Sequence, residues 1–174
     1  MTDIVSKETR SRMMSGIRGK DTRPEMMVRR HLHALGFRYR LHVKTLPGTP
    51  DLVLSKYKTV IFVHGCFWHR HAGCKYATTP RTNPEFWNEK LDSNVRRDKE
   101  AMDRLVHLGW RIIVIWECSL RHKTDVDHAA AWLASALTSD RREMFSVWPN
   151  ARLEHVASID YLSENNVDGG IMTN

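Results

Sequence analysis

The order of hydrophobic patterns along the chain predicts an α/β protein built on a single mixed β-sheet flanked by helices. Residues 111–116 form a continuous apolar run, which is typical of a strand covered on both faces. A second apolar strand, at 57–63, is separated from it by a helical pattern over 85–107. A strand, a long helix and a second strand favour a helical crossover, so we expect these two strands to lie in one sheet.

The remaining patterns place a short meander before that crossover. The predicted elements in chain order are a helix at 6–17, a helix at 22–35, strands at 37–43, 51–54 and 57–63, a helix at 85–107, a strand at 111–116 and a helix at 127–138. Thr22 and Glu25 have the spacing of a capping box, which fixes the start of the second helix.

Composition is that of an ordinary globular chain, with 41% hydrophobic and 27% charged residues in 174. No apolar run approaches the roughly 20 residues of a membrane span, and the polar N-terminus has no signal-peptide pattern. We therefore expect a cytoplasmic, monomeric protein. Its folded domain is predicted to cover residues 1–140, and residues 141–174 to form a C-terminal extension with a disordered end.

The net charge of +7 favours a polyanionic partner, because Lys and Arg neutralise phosphates and release counterions. Solubility is the ordinary alternative explanation of such a charge. Basic residues crowd the first thirty positions, however, and a second group follows at 96–99. This distribution favours nucleic acid, with residues 1–20, including Arg10 and Arg12, as an arm that contacts DNA.

The three cysteines of the chain suggest a metal site rather than disulfides, because their number is odd and the expected compartment is reducing. Zinc takes four S or N ligands in a tetrahedron. Cys66, His71, Cys74 and Cys118 supply such a set and would tie the loop after 57–63 to the end of the strand at 111–116. His69 is an alternative histidine ligand, and idle or buried cysteines are the competing explanation.

Asp51 is a candidate Mg²⁺ ligand because it enters one strand beside Val63 and His64, which end the next strand. Mg²⁺ needs one or two protein carboxylates together with phosphate oxygens and water, and nucleases use such ions to activate water. A simple turn aspartate is the commoner explanation. Two further acids, Glu25 and Asp98, are candidates for the same site.

Both acids also have a structural explanation. Glu25 belongs to the capping box. Asp98 falls on the apolar stripe of the long helix, where an acid is rare unless paired or bound to a metal, and an ion pair with Arg111 would satisfy it.

His64 and His69 are candidate general bases, because a histidine titrates near neutrality and both flank the cysteine loop. Phe67 and Trp68 are adjacent aromatic residues in a polar loop and cannot both face one core. Exposed aromatic side chains can insert between base pairs. Trp87 lies on the apolar stripe of the long helix, so core packing is its default explanation.

Together these motifs resemble those of the very-short-patch repair (Vsr) endonucleases, over residues 6–122. The segments that carry the resemblance are His64-Gly65-Cys66-Phe67-Trp68-His69 with His71 and Cys74, Thr9-Arg10-Ser11, Pro47-Gly48-Thr49-Pro50-Asp51, Glu85-Phe86-Trp87, Asn94-Val95-Arg96-Arg97-Asp98, Gly109-Trp110-Arg111 and Trp116-Glu117-Cys118.

The resemblance implies a fold similar to type II restriction endonucleases. It implies an enzyme that nicks one DNA strand 5′ to the thymine of a T·G mismatch left by deamination of 5-methylcytosine. Mg²⁺ would be held by Asp51 and the backbone of Val63, and His69 would be the general base. The other matching positions are Glu25, His64 and Asp98 in the active site, Cys66, His71, Cys74 and Cys118 as zinc ligands, Phe67, Trp68 and Trp87 as an aromatic wedge, and Met14 entering from the opposite groove.

The chain departs from the family pattern in the segment 66–74, which holds three of the four expected zinc ligands and is called the zinc loop below. This loop carries Arg70 and Ala72-Gly73 and one extra residue before Cys74. Val63 stands where threonine is expected, which a backbone contact to the metal tolerates. The resemblance also implies a functional link to a cytosine methyltransferase and a mismatch-repair protein as partner. Two other functions remain open: a restriction-type endonuclease on matched DNA, and a zinc-stabilised DNA-binding module without catalysis.

Overall fold

The structure is a computed structural model that describes residue 9, residues 19–139 and residues 143–149. Apart from Thr9, the predicted helix at 6–17 therefore lies outside the described residues, and so do the candidate DNA contacts Arg10, Arg12 and Met14. So does the C-terminal extension beyond residue 149.

Within the described residues, three helices surround one five-stranded sheet. The helices are α1 (Arg23–Ala34), α2 (Pro84–His107) and α3 (Lys123–Thr138), and the strands are β1 (Arg40–Leu41), β2 (Leu52–Leu54), β3 (Thr59–His64), β4 (Arg111–Trp116) and β5 (Phe145–Trp148). Short 3₁₀ turns follow β2 and β4, at Ser55–Tyr57 and Glu117–Leu120. None of the described helices is long and apolar enough to cross a membrane.

The sheet has the strand order β1-β2-β3-β4-β5. Antiparallel pairing joins β1 to β2 and β2 to β3, whereas β3–β4 and β4–β5 are parallel. This confirms the prediction of a single mixed α/β sheet with α2 as the crossover. The edge strand β5 was not foreseen, because the sequence signals weaken beyond residue 141.

The core occupies both faces of β3 and β4. On one face Ile61, Ile113 and Ile115 pack with residues of α1 and α3, including Leu32 and Leu133. On the other face the alternate residues of the same strands pack with α2 through the fully buried Leu105. The continuous apolar run at 111–116 therefore forms a strand covered on both faces, as predicted.

The predicted strand at 37–43 is mostly irregular. Only Arg40 and Leu41 pair, with Val53 and Leu52, and Leu41 is 44% exposed. The strand stops because His42 has a φ of +45°, in the left-handed region that interrupts extended backbone.

A turn before β2 brings backbone close to the crossover helix. Gly48 has a φ of +69°, and a Cβ at this position would lie 2.8 Å from Cβ of Ala101 in α2. Both the left-handed backbone and the lack of space require glycine here. The contact holds the turn that delivers Asp51 to the start of β2.

We predict that Gly48→Ala destabilises the protein by about 2 to 4 kcal/mol, because backbone strain and overpacking act together. Gly36→Ala is the matched control, since Gly36 also has a positive φ (+86°) but has open space around its Cβ position. That variant should lose only about 1 kcal/mol. Urea denaturation gives both values, and equal losses would show that the close approach to Ala101 does not matter.

Candidate active site and metal centre

The parallel register of β3 and β4 places two loops together at one edge of the sheet. The strands pair residue by residue from Thr59 opposite Arg111 to His64 opposite Trp116, so both end at the same level. The loop after β3 carries Cys66, and the turn after β4 carries Cys118. Residues 52 positions apart in sequence therefore become neighbours.

Cys66, His71, Cys74 and Cys118 form one cluster, in which a ligand atom from each lies within 4.8 Å of the others. His71 Nδ1 is 3.6 Å from Cys66 Sγ and 3.4 Å from Cys118 Sγ. Tetrahedral zinc with Zn–S of about 2.3 Å and Zn–N of about 2.0 Å separates S and N ligands by about 3.5 Å. The donor types and their spacing thus fit zinc, and His71 rather than His69 completes the set.

Tight turns shape the zinc loop. The Cys66 carbonyl accepts from the His71 N–H (3.0 Å), and the His71 carbonyl accepts from the Cys74 N–H (3.2 Å). Arg70 and Gly73 have positive φ values, +48° and +68°, so the chain reverses twice within this short segment. The His71 ring also stacks on Trp116 with ring centroids 4.0 Å apart, which fixes its orientation.

Burial raises the pKa of the Cys66 and Cys118 thiols. Without a cation the two thiols would therefore stay protonated at neutral pH. A divalent ion reverses this preference because it requires and stabilises thiolate ligands.

His69 lies outside the cysteine cluster and forms a second one with His64 and Asp98. Its Nδ1 is 2.5 Å from Asp98 Oδ2, and its ring stacks on that of His64 at 3.9 Å with an interplanar angle of 8°. Asp98 comes from α2 and is half-buried. The ion pair expected with Arg111 does not form, since Arg111 instead donates to the carbonyls of Ala136 and Glu143.

His64 ends β3 and is buried, with 5% of its surface exposed. Burial lowers its pKa well below the usual range, and repulsion from His69 lowers it further. The side chain is therefore neutral at physiological pH, and its flat ring supports that of His69.

The Asp51 side chain is hydrogen-bonded to the backbone at the same end of β3. The N–H of Val63 donates to Asp51 Oδ2 at 2.8 Å. Burial raises the pKa of this carboxyl to about 6, although the Val63 hydrogen bond works in the opposite direction. Through Val63 and the adjacent His64, Asp51 is linked to the His69–Asp98 pair within one continuous group.

Glu25 has a structural role at the start of α1 and lies near Asp51. It closes the capping box with Thr22, and its Oε2 accepts from Arg29 at 2.8 Å. Both members of this pair are buried. The charge of Glu25 also raises the pKa of Asp51, which places it in the electrostatic environment of that carboxylate.

Sequence reasoning missed two members of this group, Arg29 and His42. Arg29 counted as one of many N-terminal cations, yet only 4% of its surface is exposed. His42 was assigned to a strand, yet its Nδ1 lies 3.9 Å from Asp51 Oδ1. The one available signal was that Arg29 follows Glu25 at the i,i+4 spacing of a helical ion pair.

Three aromatic residues cluster beside the zinc loop. Ring centroids of Phe67, Trp68 and Trp87 lie 5.0 to 6.2 Å apart, and all three side chains are half-buried. Trp87 thus joins the loop aromatics rather than the hydrophobic core of the sheet. Phe86 extends the cluster toward solvent and is 50% exposed.

Polar contacts hold the loop against α2. Arg70 forms an ion pair with Asp92 at 3.1 Å and donates to Asn88 Oδ1 at 2.8 Å. The Asn94 amide donates to the carbonyl of Trp68 at 3.1 Å. A single loop anchored to α2 therefore carries His69, three of the four members of the cysteine–histidine cluster and two of the three aromatic residues.

Comparison with known proteins identifies the family to which this chain belongs. The profile of the family described as DNA mismatch endonuclease Vsr matches residues 2–75. The type II nicking enzyme V.XorIIP of Xanthomonas oryzae pv. oryzae is 47% identical over 120 residues, which are 69% of this chain and 88% of the relative. The type II nicking enzyme V.NmeAIP of Neisseria meningitidis is also 47% identical, over 71% of this chain and 87% of its own.

The DNA mismatch endonuclease Vsr of Escherichia coli is 45% identical over 121 residues, which cover 70% of this chain and 77% of the relative. Such identity over most of a relative's length is far above what a shared fold alone produces. The chain therefore belongs to the Vsr family of DNA mismatch endonucleases.

Proposed function

We propose that this endonuclease nicks one strand of DNA 5′ to the thymine of a T·G mismatch, in a reaction that depends on Mg²⁺. Family membership supports DNA cleavage at mismatches. The observation that carries the catalytic part is the convergence of Asp51 and the His69–Asp98 pair on the end of β3. This convergence favours an enzyme over a zinc-stabilised module that only binds DNA.

His69 is proposed as the general base. The Asp98 carboxylate accepts the Nδ1–H of His69, which leaves the Nε2 lone pair free to take a proton. In hydrolysis, Nε2 would accept the proton of the water whose oxygen attacks the phosphorus, while the bond from phosphorus to the 3′ oxygen breaks. Neutral His64 contributes orientation, because its ring is stacked on that of His69.

Asp51 and the backbone carbonyl of Val63 are proposed as the protein ligands of Mg²⁺, with Glu25 as a nearby acid. A carboxylate, a carbonyl and phosphate oxygens are the donors this ion prefers. When bound, the cation supplies positive charge that stabilises the scissile phosphate in the transition state. The raised pKa of Asp51 fits this role, because a buried carboxylate gains most from a cation placed against it.

Zinc at Cys66, His71, Cys74 and Cys118 is proposed to be structural, because four protein ligands leave no open position for substrate. The ion would fix the loop that carries His69 and two of the three clustered aromatics.

Phe67, Trp68 and Trp87 are proposed to form a wedge that inserts beside the mismatch, where unstacking costs least. Met14 is proposed to enter from the opposite groove, and Arg10 and Arg12 to contact DNA as part of the N-terminal arm. We propose that the nicking activity and these DNA contacts belong to an endonuclease domain at 1–140. The protein is proposed to act as a monomer and to lie with DNA in the cytoplasm. A cytosine methyltransferase is its proposed functional link, and a mismatch-repair protein its proposed partner.

The direct test compares nicking rates on duplexes that differ only in one T·G or T·A pair, with Mg²⁺ or with EDTA. We expect Mg²⁺-dependent nicking that strongly favours T·G, and Trp68→Ala should lower both the rate and the T·G-to-T·A ratio. Trp110→Ala is the matched control, because Trp110 directly precedes β4, at the far end of that strand. Efficient cleavage of the T·A duplex would favour a restriction-type enzyme, and an unchanged ratio in folded Trp68→Ala would remove the wedge.

A second prediction concerns the conflict between stability and catalysis at Asp51. Its folded pKa of about 6 exceeds the usual 3.8, so the folded state binds more protons between these values. Stability is then lost as the pH rises through 6. Asp51→Asn should abolish nicking in the presence of Mg²⁺, because it removes the proposed metal-binding carboxylate. At pH 7 and without Mg²⁺, the same variant should raise the free energy of unfolding by about 1 to 3 kcal/mol, because it removes the buried charge.

Urea denaturation of both proteins at pH 4 and pH 7 in EDTA measures this effect. The stabilisation should be present at pH 7 and much smaller at pH 4, because folded Asp51 is protonated there and carries no buried charge. A destabilised Asp51→Asn at pH 7, or a variant that still nicks, would contradict the assignment.

A further inference from the structure

The guanidinium of Arg29 is buried between α1 and the segment that follows β1. Its NH1 contacts Asp21 Oδ1 at 2.5 Å and Met26 Sδ at 3.5 Å. Its NH2 contacts Glu25 Oε2 at 2.8 Å and His42 Nε2, also at 2.8 Å. Each terminal nitrogen carries two hydrogens, and four partners use all four of them.

This arrangement fixes the protonation of His42. A guanidinium has donors only and cannot accept a hydrogen bond. At 2.8 Å from Arg29 NH2, Nε2 of His42 must therefore be the acceptor and carry no hydrogen. The ring is then neutral with its hydrogen on Nδ1, because the bond made by one ring nitrogen decides the state of the other.

The Nδ1–H of His42 faces the active site. Nδ1 lies 3.9 Å from Asp51 Oδ1, while the other oxygen of that carboxylate accepts from the Val63 N–H. One carboxylate oxygen of Asp51 thus contacts the backbone of β3, and the other faces His42. The separation is longer than a hydrogen bond, so the contact acts as an attraction between the N–H dipole and the carboxylate charge.

The backbone conformation of His42 is a further indication that the position of its side chain is functional. His42 has a φ of +45° and is not a glycine. Strained conformations of this kind persist where the surrounding structure imposes them, and they concentrate at functional sites. The His42 imidazole lies between Arg29 and Asp51, at 2.8 Å and 3.9 Å from their nearest side-chain atoms.

We propose that His42 is a positioning residue for Asp51, held as its Nδ1–H tautomer by the buried guanidinium of Arg29. This inference deepens the proposed function, since it rests on Asp51 as the metal-binding carboxylate. Residues that hold a metal ligand in place without binding the metal themselves are common, and their loss typically lowers metal affinity or activity 10- to 100-fold.

The tautomer is measured directly by long-range ¹H–¹⁵N NMR on the full chain labelled with ¹⁵N-histidine, without DNA or Mg²⁺. His42 is assigned from the resonances that disappear in His42→Asn. We expect a protonated Nδ1 and an unprotonated Nε2 at neutral pH, and a shift toward the other tautomer in Arg29→Met, which has no hydrogen-bond donor. A protonated Nε2 in the wild-type protein would overturn the inference, and this readout is independent of nicking.

Two amide variants test the positioning role. The side-chain nitrogen of Asn reaches the place of Nδ1, whereas that of Gln reaches the place of Nε2. We expect His42→Asn to nick at Mg²⁺ concentrations within a few-fold of wild type, and His42→Gln to need at least tenfold more Mg²⁺. DNA affinity in EDTA should be unchanged in both variants, and thermal melting checks that they fold.

Equal Mg²⁺ requirements of the Asn and Gln variants would overturn the positioning role. Failure of the proposed function looks different, because Asp51→Asn would then nick with Mg²⁺ whatever the tautomer of His42.

Discussion

The parallel pairing of β3 with β4 is the constraint on which the rest of the site depends. The two strands are buried on both faces and run in register, so the chain leaves both at the same edge of the sheet. Cys66 and Cys118, which come shortly after these strands, are therefore close in space, and they form one cluster with His71 and Cys74. A shift of one residue in this register would exchange the two faces of β4 and move Cys118 away.

The site at the end of β3 has two parts with different electrostatics, one around His64 and His69 and one around Asp51. On one side His64 is neutral and supports His69, whose Nδ1 is engaged by Asp98. On the other side Asp51 lies in a buried environment that disfavours its charge. A buried carboxylate whose charge destabilises the free protein gains most from a cation placed against it, so the stability lost at Asp51 would be recovered as affinity for the proposed Mg²⁺. A zinc ion at the cysteine cluster would fix the first side, and the proposed role of His42, in contact with Arg29, concerns the second.

The sheet was predictable because its signals are local. The apolar run at 111–116, the long pattern at 85–107 and the capping box at Thr22 each determine an element without reference to the rest of the chain. The segment at 37–43 was predicted wrongly, because alternation alone cannot reveal the left-handed backbone at His42.

The residues of the site were predictable to the extent that their chemistry is rare. Cysteines with zinc-like spacing and an acid on an apolar stripe are unusual in a sequence, and the structure brings Asp98 to His69 rather than to Arg111. Arg29 gave no such signal, since a buried arginine and a surface arginine look alike until the packing around them is known. The same holds for Trp87, whose helical spacing indicated core packing although it joins the loop aromatics.

The central claim is that one loop holds a structural zinc with His71 and presents His69 to the substrate. The most direct measurement is the zinc-to-protein ratio of purified wild type, His71→Ala and His69→Ala, determined by mass spectrometry beside the nicking rate. The account predicts equimolar zinc in wild type and in His69→Ala, with nicking lost in the latter, and loss of both zinc and nicking in His71→Ala. Wild-type protein without zinc, or release of zinc by His69→Ala, would contradict it.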